Sequence, residues 1–466
     1  MRNMISFDRT RCGIATTLGR TAVALLFAVA PVRLAAQQTS PLLGDNPFSN
    51  PRGGFQLYSI TGFVGWQSVF TPQDGYVLPN SQSVGGDESY GGSAGVGWSK
   101  RGKNGSISIG YMASYLGQVH HSDLNALNHF LNLNATRQLG RKWTFGFSAN
   151  SGLSTYTQML FSPIQSGNIV GAAGPGDLPG AVLTGQSTNP GLNQQLNGAP
   201  GISSPAQTLF FGNRVFVTSA SASLSYAHSQ RLNYSLSVTG SRSQHLDDGE
   251  VQDSFLVAKA IQAGASASVS YSLSPRTQVG VNVSSTRGFS QIQNSTATNA
   301  SGFIGRTLGR RWTVQVHAGV GFVNTLHSSA NNTNPGTTPV YGASMGYQTF
   351  AHTFMASGDR SVSQSYGLAT ADTTNINASW RWWRPGRSWG LTSSFLREQF
   401  RQSAYGNSNA WRAMAGMTRR MGGHTVLETS YTYGTFTSSS LPTAYQSAQH
   451  GVRLSVMFSP QSQERH

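Results

Sequence analysis

The run Trp312-Thr313-Val314-Gln315-Val316-His317-Ala318-Gly319-Val320-Gly321-Phe322 alternates without a slip. Every second residue is apolar, and those between are polar or glycine. Side chains of an extended chain point to opposite faces in turn, so period two predicts a strand with one apolar face. A helix would instead need apolar residues three and four apart. The run is also long: about 9–11 residues cross a bilayer as a tilted strand, whereas soluble strands usually hold about 5–6.

Working outward, the pattern recurs in Phe216–Tyr226, Leu232–Val238 and Ala263–Leu273. The off-face residues are mostly Ser, Asn, Gln and Gly rather than Lys and Glu, which suits an enclosed polar interior better than an open surface. About eighteen such strands are predicted, from 55–67 to 446–458, with weak signals at 88–99 and 339–363 leaving sixteen as the alternative. Connections alternate between short turns such as Gly140-Arg141-Lys142 and long loops near 68–87, 157–212, 244–257, 325–338 and 400–408. The expected fold is all-β: a transmembrane antiparallel up-and-down barrel with short periplasmic turns and long extracellular loops.

Composition agrees. Charged residues are 10% and Gly 54 of 466, but aromatics reach 10%, too many for a disordered chain. The mean hydropathy of -0.26 does not oppose a membrane barrel, because its strands are only half apolar. Residues 1–36 read as a secretory signal: a basic start, the apolar run Thr21–Ala30, and Leu34-Ala35-Ala36 at the cleavage end. The sole cysteine, Cys12, lies within it, so the processed chain is expected to have no disulfide and no thiolate metal site. Segment 37–54 is expected to be a short periplasmic lead-in, too short for a plug, with the barrel over 55–458 and a tail over 459–466.

The net charge of +16 raises nucleic-acid binding as a possibility. The bases, however, sit in the short turns (Arg141, Lys142, Arg231, Arg276, Arg310, Arg311), and the acids mostly in long loops. A basic rim against anionic headgroups explains the pI without nucleic acid. Solvated turns explain it equally well.

Two turns repeat: Leu139-Gly140-Arg141-Lys142-Trp143 and Leu308-Gly309-Arg310-Arg311-Trp312. Each Trp starts a strand. Trp143, Tyr226, Tyr234, Tyr271, Trp312, Trp382 and Trp389 are expected at one level, as an interfacial aromatic girdle. The last strand, Val452-Arg453-Leu454-Ser455-Val456-Met457-Phe458, alternates and ends in an aromatic. With the signal and the strand pattern, it resembles the bacterial outer-membrane β-barrel proteins, broadly the porin-like group, across the whole processed chain. The resemblance implies the outer membrane of a Gram-negative-type cell, contact with its lipid, and Phe458 as the aromatic read by barrel-assembly machinery. Family members commonly end at that aromatic, whereas here Ser459–His466 follow. No ligand is carried over, because barrels host many functions.

Three sites merit weighing. Loop 157–212, rich in Gly, Pro, Asn and Gln, is expected either to fold into the lumen and narrow it or to stay outside. Arg412, Glu428 and Arg453 point inward by parity and form a candidate lumen charge cluster, a filter or mere charge neutralisation. His120-His121 with Asp123, and the acids Asp247, Asp248, Glu250 and Asp253, match neither a triad nor a calcium loop. No catalytic residue, metal ligand or cofactor is therefore assigned, and no enzyme is expected. Nothing singles out a strand as a subunit interface. The reading is a channel for passive diffusion of small polar solutes. The alternatives are a non-conducting accessory barrel in export or surface attachment, for instance of a polysaccharide, and a soluble all-β adhesin.

Overall fold

The computed structural model describes residues 54–68, 86–120, 125–155, 214–245, 259–290, 293–309, 311–328, 336–365, 369–383, 388–403, 406–422, 424–438 and 445–458. The signal, nearly all of the 37–54 lead-in, loop 157–212, the acids at 247–253 and the tail lie outside these residues.

The described chain forms eighteen strands: β1 (Gly54–Ser68), β2 (Gly86–Gly102), β3 (Gly105–Gln118), β4 (Ala126–Leu139), β5 (Trp143–Thr155), β6 (Arg214–Ala227), β7 (Leu232–His245), β8 (Ala260–Ser274) and β9 (Thr277–Ser290). Then follow β10 (Gln293–Leu308), β11 (Trp312–Ser328), β12 (Thr337–Gln348), β13 (His352–Ser365), β14 (Ala369–Trp383), β15 (Trp389–Ser403), β16 (Gly406–Arg420), β17 (Thr425–Ser438) and β18 (Tyr445–Phe458). Each pairs antiparallel with its sequence neighbours, and β1 pairs with both β2 and β18, so the sheet closes. Closure leaves no sheet edge along the circuit, which is what a strand-built membrane span requires. The strands run 12 to 17 residues, long enough to cross with tilt.

Alternation sorts the two faces as the sequence predicts. The outer face is apolar and exposed: Leu236, Val281, Val316, Val320 and Phe322 are each at least 40% accessible. The inner face is polar and largely shielded by its own neighbours. Serines pair across strands, Ser148 with Ser221, Ser235 with Ser268 and Ser237 with Ser266, each at 2.6 Å. Such rungs satisfy polar groups on the inner wall and hold the register.

The glycine of the repeated turn motif is left-handed in both copies. Gly140 and Gly309 have φ of 78° and 68°, a left-handed geometry that glycine adopts at little cost. The alternation of loop lengths, by contrast, is imperfect. On the long-loop side, β15 runs to Ser403 and β16 begins at Gly406, so the expected long connection at 400–408 is mostly strand. The connections after β9 (291–292) and β13 (366–368) are also short there.

Candidate functional site: the lumen and its constriction

Charge inside the barrel is confined to one arc. From β3 to β12, no Asp, Glu, Lys or Arg faces inward among the described residues; His317 lies inward on β11, and His245 takes an inward position at the long-loop end of β7. From β13 to β18 the inner face carries Arg381, Arg412, Arg420 and Arg453 with Asp359 and Glu428, and by register Glu398 of β15 takes an inward position diagonal to Arg412. One wall of the lumen is thus a Ser/Asn/Gln lattice and the other is charged.

Of the predicted charge cluster, two members come together. Glu428 faces Ser455 across the β17–β18 ladder, and Arg453 lies two positions along β18. That makes Glu428 and Arg453 diagonal neighbours, roughly 7–8 Å apart and within reach of long side chains. The Arg453 guanidinium lies flat over the inward Phe63 ring at 3.4 Å, a cation–π contact across the β18–β1 seam. Arg412 stands apart from them. It faces Gly434, whereas the β16 partner of Glu428 is Thr418. Six residues separate the two positions, about 20 Å along the strand.

The predicted aromatic positions do form a band at the short-turn rim. Trp143 faces Tyr226 with ring centroids 4.4 Å apart, and Tyr226 faces Tyr234 at 6.3 Å. Tyr271 is next, opposite Leu232. Trp382 and Trp389 meet at 4.6 Å. Trp312 meets Tyr347 at 4.5 Å, a ring that sequence reading missed because β12 alternates weakly through Gly342 and Gly346. Phe458 closes the circuit opposite Ile60 of β1.

The constriction is the feature that sequence reasoning did not find. β12 and β13 pair only from Gln348/Thr353 up to Tyr341/Arg360. Beyond that point β12 continues on β11 alone, while β13 continues to Ser365 paired with β14 alone. The freed tip of β13–β14 turns into the lumen. By parity Val362 belongs to the outer face, yet it packs against inward residues of the opposite layer. Val362 is 3% exposed and forms a small core with Ala297 of β10 and Val323 of β11. Gly321 of β11 makes room: a Cβ placed there would stand 2.8 Å from Val362 Cγ2 and 2.9 Å from Asn299 Oδ1.

Leaving β12 strips the β13 edge of its partner, and buried backbone groups need one. Asn299 of β10 supplies it. Its Nδ2 donates to the Val362 carbonyl at 3.0 Å, and its Oδ1 accepts from the Val362 N–H at 3.3 Å. One side-chain amide thus stands in for the missing strand. The tip is braced further by Arg360, whose Nε lies 3.0 Å from both carboxylate oxygens of Asp372 on β14. Thr373 donates its hydroxyl to the Ser361 carbonyl at 3.1 Å.

At the long-loop rim, Asp87 is buried and accepts from the His120 N–H at 3.1 and 3.2 Å and contacts its Nδ1 at 2.9 Å. This joins the start of β2 to the residues just after β3, and no group of three or more metal-ligating side chains occurs among the described residues. Asp123 and the 247–253 acids lie outside the description.

No family model and no curated protein matches the sequence. Among solved structures, OpdO of Pseudomonas aeruginosa is 11% identical, with 87% of this chain and 96% of that one covered and a TM-score of 0.39. OccK2 (OpdF) of the same organism, solved with glucuronate, is 10% identical over 87% and 98%, with a TM-score of 0.40. The ferric enterobactin receptor PfeA, solved with enterobactin, is 8% identical over 86% and 81%, with a TM-score of 0.41. The likeness is one of fold: a large closed antiparallel barrel.

Proposed function

We propose that this chain is an outer-membrane channel for passive diffusion of small polar solutes, narrowed by the β13–β14 tip. The observation that carries this reading is a closed 18-stranded barrel whose outer face is apolar and whose inner face is polar. Barrels of 16–18 strands leave an aqueous channel unless something fills it. The polar rungs of β3–β12 give a solute hydrogen-bond partners without fixed charge, and opposite them the four inward arginines stand against the acids Asp359, Glu398 and Glu428, which offset most of their charge. Weak charge selectivity follows. The aromatic band, with basic short turns beneath it, fits the periplasmic interface, and the apolar belt fits lipid. Cleavage of residues 1–36 and recognition of Phe458 by assembly machinery belong to the same reading.

The inward tip is also what favours the second reading, a closed accessory barrel in export or surface attachment that opens only with a partner. Conductance separates the two. Chain 37–466, refolded in detergent and placed in a planar bilayer, is expected to give steady, weakly selective openings. A folded, heat-modifiable barrel without conductance would overturn the diffusion channel and leave the accessory reading.

A further inference from the structure

The outer face changes character at the long-loop end of β7, β8 and β9. Below that end it is apolar, through Leu236 and Val238 on β7, Val269 on β8 and Val281 and Val283 on β9. Above, three cations appear. Arg242 lies opposite Ile261, Arg287 lies opposite Ala263, and exposed Lys259 is two residues beyond Ile261. Two arginines and a lysine on three adjacent strands therefore surround one isoleucine that is 44% exposed.

Their height is informative. Arg242 is eight residues beyond Tyr234, and Arg287 eight beyond Val279, which faces Tyr271. Eight residues span about 26 Å along a strand, or roughly 20 Å along the membrane normal at the usual barrel tilt. An apolar band is about 25 Å tall. The guanidinium groups extend upward from there to the headgroup layer, the level at which long cations settle.

Both arginines are held. Arg287 stacks on Phe289, 4.8 Å from the ring centroid. Arg242 donates from Nη2 to Gln244 Oε1 on the same face. Each contact orients the planar guanidinium and leaves other N–H donors pointing outward. No acid is exposed on the described parts of β6–β10, and Glu88 on β2 is an exposed acid of this rim among the described residues; Asp247, Asp248, Glu250 and Asp253 of the β7–β8 connection lie outside them. Arg360, on the same face elsewhere, is by contrast neutralised by Asp372.

We propose that Arg242, Lys259 and Arg287 form a binding site for the phosphate of an anionic lipid headgroup in the outward-facing leaflet. The proposal rests on the reading that the outer face meets lipid. Planar forked donors suit phosphate oxygens, and the chain of the same lipid can lie along Ile261 and the small residues below it.

The test uses processed wild-type protein in maltoside micelles, with dioctanoyl phosphatidic acid and dioctanoyl phosphatidylcholine as probes and native mass spectrometry as readout. Phosphatidic acid is expected to bind at least tenfold more tightly than the choline lipid. Arg242→Gln/Arg287→Gln should weaken it by about tenfold or more, as the loss of charge-assisted hydrogen bonds implies. Arg306→Gln, on the outer face at the opposite rim, should leave binding unchanged. If the double variant folds poorly, the single glutamine variants decide, each expected to bind more weakly than wild type. Wild-type affinity in these variants, or an equal loss in Arg306→Gln, would overturn the site. Displacement of the lipid by equimolar inorganic phosphate would overturn the lipid assignment. A barrel that stays monodisperse without detergent would overturn the membrane reading, and this inference with it.

Discussion

Asn299 and Gly321 show how much of the constriction hangs on single residues. The Asn299 amide makes two hydrogen bonds to a backbone edge that has lost its strand. Asn299→Ala leaves the Val362 N–H and carbonyl unsatisfied, at about 1–3 kcal/mol for a buried group. The tip is therefore expected to detach, and single-channel conductance to rise, while the barrel stays heat-modifiable. Gly321→Val acts on the other side of the contact. Its added carbons collide with Val362 Cγ2, so the tip is again displaced and conductance should rise similarly. If both variants conduct like wild type, the tip does not limit flow. Glu428 tests a different property. Glu428→Gln removes an inward carboxylate beside Arg453 and leaves the arginine unopposed. The reversal potential in a salt gradient should move toward anions; an unchanged value would mean that the pair only neutralises itself.

At the scale of strands, the sequence was legible because the barrel imposes a simple rule. One face meets an apolar surround and the other a polar interior, so period two survives along nearly every strand. The strand predicted over 213–227, for instance, is observed as β6, Arg214–Ala227. The inside/outside assignment is testable on β9. Val281 is 54% exposed on the outer face, and its neighbour Asn282 faces in. Val281→Arg, near mid-strand, should cost the barrel about 2–4 kcal/mol in a denaturant titration in lipid, and Asn282→Arg little. Equal costs would mean that the inside/outside assignment is wrong. What was not legible is the departure of β13 from β12. Val362 and Asp372 read as ordinary outer-face residues, because parity reports only which side of its own strand a side chain takes. It says nothing of a strand pair that leaves the wall and lays that side against another layer. The same holds for Arg412: parity places it inside correctly, but its distance from Glu428 depends on register, which comes from pairing and not from one strand.

For the whole molecule the question is whether the inward tip is a fixed rim or a moving one, and the two differ in how the lumen responds to a tether. The only cysteine is Cys12, in the predicted signal, so the processed chain accepts an engineered pair without competing thiols. Gly321 and Val362 are the natural positions. A Cβ built on Gly321 stands 2.8 Å from Val362 Cγ2, so the two side chains are direct neighbours, as a disulfide requires. Gly321 also has no positive φ, so a side chain there meets steric obstacles in the side chains of Val362, Asn299 (Oδ1 at 2.9 Å) and Val340 (Cγ2 at 3.1 Å) but no backbone one. Gly321→Cys/Val362→Cys replaces both the missing side chain and the valine that blocks it. Oxidised, the tip is tied to the wall at the point where it already rests, and conductance should match or fall slightly below wild type. The informative step is reduction in the same bilayer. A fixed rim returns the same current with and without reductant, since the Arg360–Asp372 pair and the β13–β14 ladder still hold it. A moving tip gives long closed or low-conductance dwells when oxidised and brief larger openings once reduced. The pairing of Ser365 with Ala369 favours the fixed rim: a ladder that holds to both strand ends leaves little slack, so the tip should move as one body or not at all. The expected outcome is an oxidised current within noise of the reduced one. Larger openings on reduction would instead make the tip a gate.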